Sequence, residues 1–84
     1  MKVYIELNNE CLVFATKDET AFVKRYSGEA TGTRVEFVNR ILARYPNFVY
    51  CGFAFTTQQQ WLTEYGVVPF NGEIPERKPA IWDD

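Results

Sequence analysis

The sequence predicts an α+β fold, a small, mostly antiparallel sheet of three or four strands packed against two or three helices in the order ββααβαβ. Three observations carry the prediction. Residues 1–7 and 11–15 have strand-like patterns on either side of a polar break at Asn8-Asn9-Glu10. Threonines at 16, 33 and 57 each stand three residues before a Glu or Gln and just ahead of helically spaced apolar residues. The stretch Phe48-Val49-Tyr50-Cys51-Gly52-Phe53-Ala54-Phe55 is apolar at both parities.

The first strand follows from alternation. Met1, Val3, Ile5 and Leu7 interleave with Lys2, Tyr4 and Glu6, the period-two pattern of a half-buried strand. Asn tolerates the left-handed backbone of a tight turn. Cys11-Leu12-Val13-Phe14-Ala15 returns as the second strand of a hairpin. Thr16-Lys17-Asp18-Glu19 then fits a capping box, in which the Thr oxygen accepts from an amide three residues on. It predicts a helix over 17–27, with Phe22, Val23 and Tyr26 inward and Gly28 as its stop.

A second box, Thr33-Arg34-Val35-Glu36, opens a helix over 34–45. At 100° per residue, Phe37, Ile41, Tyr45, Val38, Leu42 and Val35 fill one arc, beside a charged strip of Glu36, Arg40 and Arg44. Pro46 ends it. Residues 21–27 and 35–41 also contain the Val and Phe of strands, but the capping residues favour helix. The apolar run 48–55 reads as the central strand, or as one covered on both faces, and Gly52 marks a bulge or a close neighbour. A third box at Thr57-Gln58-Gln59-Gln60 predicts a short helix over 58–65 that turns Trp61, Leu62 and Tyr65 inward and is capped by Gly66. Val67-Val68-Pro69-Phe70 is an edge strand, because Pro69 cannot donate to a ladder. Asn71-Gly72 is a turn signal. Residues 1–70 thus form the compact domain, and 71–84 an extended acidic tail with prolines at 75 and 79 whose Ile74, Ile81 and Trp82 can fold back.

Composition narrows the function. The 84 residues hold 9 Lys+Arg, 11 Asp+Glu and no His, for a net charge of −2. Without His, the commonest general base, the Ser/His and Cys/His nucleophile pairs and most zinc sites are gone. Cys11 and Cys51 lie 40 residues apart in apolar runs. They read as reduced, packed thiols rather than a disulfide or a nucleophile. No phosphate-binding glycine motif occurs, and neither a dense anionic nor a strongly cationic surface is available. Glu6, Glu10 and Glu64 are not placed together by any sequence feature. No catalytic residue, cofactor or metal is therefore expected. The alternating N-terminus resembles no signal peptide and no run reaches a membrane span, so the expected setting is cytoplasmic.

Three constellations remain. Gly28-Glu29-Ala30-Thr31-Gly32-Thr33-Arg34 opens a helix and offers amides to an anion, although Glu29 repels one and the glycines are explained by the turn. Lys24, Arg25, Arg34, Arg40 and Arg44 are the basic set that would contact nucleic-acid phosphates. The aromatic residues, 17% of the chain, exceed what so small a core holds, and Tyr and Trp dominate binding hot spots. The leading expectation is thus a non-enzymatic protein-binding module that acts sterically through Tyr50, Trp61, Tyr65, Trp82, Asp83 and Asp84. An inhibitor or accessory protein of a phage or other mobile element, such as one blocking a bacterial defence nuclease, has this size and character. The alternative is a small RNA- or DNA-binding domain on the basic helix face. A homodimer through the edge at 67–70 is a further expected mode of association.

Overall fold

The computed structural model describes residues 1–26 and 28–72. Trp82, Asp83, Asp84 and the expected fold-back of the tail lie outside the described residues. The element order is the predicted ββααβαβ: β1 (Lys2–Leu7), β2 (Glu10–Thr16), α1 (Thr20–Arg25), α2 (Thr33–Arg44), β3 (Phe48–Phe55), a single 3₁₀ turn (Thr56–Gln58), α3 (Gln59–Glu64) and β4 (Val67–Pro69). The sheet runs β3-β2-β1-β4. β1 pairs antiparallel with β2, and β2 with β3, whereas β4 returns parallel to β1. The hairpin is closed by Asn8 and Asn9 at φ 53° and 67°. Two consecutive left-handed residues give the turn whose twist suits antiparallel strands.

Alternation along β1 and β2 sends side chains to two faces, and each face has its own helices. Val3, Ile5, Leu12 and Phe14 meet Phe37, Val38 and Ile41 of α2. Tyr4, Cys11, Val13 and Ala15 meet Leu62 of α3, with Phe22 and Val23 of α1 and Tyr26 just after it packed alongside. The sheet is therefore the middle layer, with α2 on one side and α1 and α3 on the other. Phe14, Leu12, Ile41 and Leu62 are fully buried. Each such side chain contributes roughly 1.5–3 kcal/mol of transfer free energy.

β3 differs from the central position the sequence suggests. It is an edge strand, yet its first five residues are buried or half-buried on both faces, which explains their apolar parities. Its register slips between Val13 and Phe14 of β2, which pair with Gly52 and Tyr50 and leave Cys51 as the extra residue of a bulge. Gly52 sits at φ 145°, a conformation favouring glycine. Because a bulge restores the face that a one-residue slip would invert, Phe48, Tyr50, Phe53 and Phe55 all fall opposite α2-face partners of β2. The small residues Cys51, Gly52 and Ala54 are left on the α1/α3 side, where there is little room.

The connection from α1 to α2 must change faces, and it does so at the β3 edge. A Cβ on Gly28 would stand 3.3 Å from Gly52 Cα, and Ala30 then packs into the α2-face core. Gly28 is thus a close-passage residue rather than the helix stop. α1 ends earlier, at Arg25.

All three helices form, but none uses its threonine as a side-chain cap. Thr16 ends β2, where its hydroxyl accepts from the Met1 amino group at 2.7 Å and donates to Asp18. Gly32 takes the cap position of α2, and α3 is entered through the 3₁₀ turn. Gly66, at φ 79°, ends α3 as predicted, its amide donating to Thr63 O at 2.9 Å.

Candidate functional site

α3 is only six residues long, too short to bury a whole apolar stripe. Leu62 alone seats in the sheet, at 1% exposure, while Trp61 and Tyr65 each remain 37% exposed. This corrects the expectation that all three turn inward. Trp61 and Tyr65 lie one turn apart, so they share a flank of the helix. Their rings meet edge-on at 4.7 Å, and Tyr26, at the C-terminal end of α1, continues the row at 5.1 Å from Trp61. Phe22, one turn before Tyr26, extends it at 5.7 Å. Phe22, Tyr26, Trp61 and Tyr65 form one aromatic surface across α1 and α3.

This surface is concave. A hollow of about 60 Å³ is lined by Phe22, Arg25, Tyr26, Trp61 and Tyr65. A larger cleft of about 230 Å³ adjoins it, sharing Phe22, Arg25 and Tyr65 and adding Lys2, Glu19 and Ala21. Lys2 reaches Glu19 at 3.5 Å and lies 5.3 Å over the Phe22 ring. Arg25 carries no ion pair among the described residues. The Tyr26 hydroxyl turns inward, buried without a hydrogen-bond partner. Burial, with the Cys11, Tyr50 and Cys51 groups nearby, pushes it up to about 12.

A second aromatic surface stands at the other face, and it was missed in the sequence. Phe53 and Phe55 project beyond the helical cover, 37% and 58% exposed. Arg34, in the first turn of α2, lays its guanidinium 3.8 Å from the Phe53 ring centroid and pairs with Glu10 at 3.4 Å. The three-residue step from Tyr50 to Phe53 across Gly52 is the signal that could have found it. A bulge there keeps both rings on one face. Tyr50 lies deeper on that face, partly buried against Phe14 at 5.6 Å. Burial raises its pKa, and Arg34 opposes the rise, although neither Tyr50 Oη nor Arg34 Nη1 makes a well-formed hydrogen bond.

The structure therefore brings Trp61 and Tyr65 together and leaves Tyr50 on the opposite face. It also divides the basic set. Lys24 and Arg25 end α1 on one side of the sheet, whereas Arg34, Arg40 and Arg44 belong to α2 on the other. Arg34 is already engaged by Glu10 and Phe53. The 28–34 loop supplies no cap side chain at the start of α2.

Cys11 and Cys51 are both free and fully buried. Burial pushes each thiol up to about 11, and Glu6 adds to the rise at Cys11. Among the described residues, no three Cys, Asp or Glu side chains gather where a metal could be held. No helix among the described residues is long and apolar enough to cross a membrane. Comparison of the chain with protein-family models, curated proteins and solved structures finds no match.

Proposed function

We propose that this chain is a non-enzymatic protein-binding module that acts sterically, using the α1/α3 aromatic surface to occupy a partner's site. The observation that carries the reading is the continuous, concave row of Phe22, Tyr26, Trp61 and Tyr65, with its last two rings accessible. Half-exposed Tyr and Trp beside a hollow are the residues that dominate interface energetics. They combine large contact area with few rotatable bonds. The chemistry of the thiols supports the reading as well. Near neutral pH a thiol with a pKa of about 11 is almost wholly protonated, and the thiolate is the nucleophile.

An inhibitor or accessory role, such as the blocking of a nuclease, fits a domain whose action is to cover another surface. The test compares wild type with Trp61→Ala and Tyr65→Ala in affinity capture from the native host, with circular dichroism confirming that each variant is folded. A protein retained by wild type and lost from both folded variants is the expected result. Capture that is identical for all three forms overturns the proposal.

A further inference from the structure

We infer that the α1/α3 groove takes a partner-protein segment in which an apolar side chain lies next to a carboxylate. The inference rests on the protein-binding reading above and specifies the chemistry of the partner. The smaller hollow is walled by four aromatic rings, so its occupant is apolar. The charge at its rim then selects what accompanies that side chain. The two adjoining hollows are lined by two cations, Lys2 and Arg25, and one anion, Glu19. Glu19 is committed to Lys2 at 3.5 Å and lies 3.9 Å from the Met1 amino group. Arg25 borders both hollows without an ion pair among the described residues. A planar guanidinium in that position is suited to a bidentate carboxylate. Such a pair at a rim governs partner choice and encounter rate more than raw affinity.

The ring geometry favours a protein segment over a nucleic acid. Base recognition on single strands uses open aromatic faces as stacking platforms. Here the Tyr26–Trp61 and Trp61–Tyr65 planes cross at 56° and 66°. Trp61 and Tyr65 meet edge-on, Tyr26 is tilted against Trp61, and neither pair lies parallel as a stack for a base would.

The test is selection of a displayed random-peptide library on the full chain, with recovered peptides then measured against variants. Expected are peptides that join Leu, Ile, Met or Phe to Asp or Glu within about two positions, the reach of neighbouring side chains. Their affinity should fall at least about tenfold with Trp61→Ala or Tyr65→Ala. Arg25→Glu should weaken them severalfold and steepen their loss for the more acidic sequences. Peptides that depend on Trp61 but show no acidic preference and ignore Arg25→Glu overturn this inference and leave the protein-binding reading standing. Recovery of no peptide, or only of peptides indifferent to Trp61 and Tyr65, overturns both. An oligonucleotide that binds through Trp61 where no peptide does also overturns both.

Discussion

Cys11 and Cys51 show what burial does to a single side chain. Unfolded thiols ionise near pH 9, whereas the folded ones hold their protons to about pH 11. The folded state binds the extra protons in that window. The stabilisation is intact below pH 9 and is lost as pH rises toward 11. Urea denaturation at about pH 8 and about pH 10.5 should show the decline. A Cys11→Ala/Cys51→Ala variant should show less of it. At Gly52 the constraint is steric. Its φ of 145° is strained for any residue that carries a Cβ. Gly52→Ala should cost about 1–3 kcal/mol by chemical denaturation. An unchanged midpoint would show that the backbone at Gly52 accepts a side chain without strain.

At the scale of elements, stability is unevenly distributed. α1 has six residues, no side-chain cap and no fully buried residue, and a helix that short is marginal without tertiary support. β2 is buried at five consecutive positions between two paired neighbours. Amide hydrogen exchange should therefore be fast along Thr20–Arg25 and slowest along β2. Equal protection of the two would contradict this ordering. The hairpin, the α2 face and the Gly66 stop were legible because each depends on local chemistry, namely alternation, 3.6-residue periodicity and a left-handed cap. The threonine caps were not. Thr16 is claimed by the chain's own amino group, a partner 15 residues away in sequence, and no local pattern records that. The inward reading of Trp61 and Tyr65 failed for a related reason. Periodicity says which residues share a flank, but the length of α3 and the width of the sheet decide how much of that flank is covered.

Across the whole molecule, sequence proximity is a poor guide to shared surface. Lys24, Arg25 and Arg34 lie within eleven positions of each other, yet the chain changes sides between them. Tyr50 and Trp61 are likewise parted by the sheet. The candidate site is legible as residue types in the sequence, since Trp61 and Tyr65 stand out. Its walls, Phe22, Arg25 and Tyr26, come from an element 35 residues away and emerge only with the layer order. That side change also has a bearing on solubility. β3 carries eight uncharged residues and no proline, the composition of a strand that recruits identical strands into fibrils. At Gly28 the chain lies against that strand, a Cβ there standing 3.3 Å from Gly52 Cα, and a copy pairing along the full strand would meet it. The crossing from α1 to α2 thereby also puts backbone against the one exposed-edge strand that lacks both charge and proline.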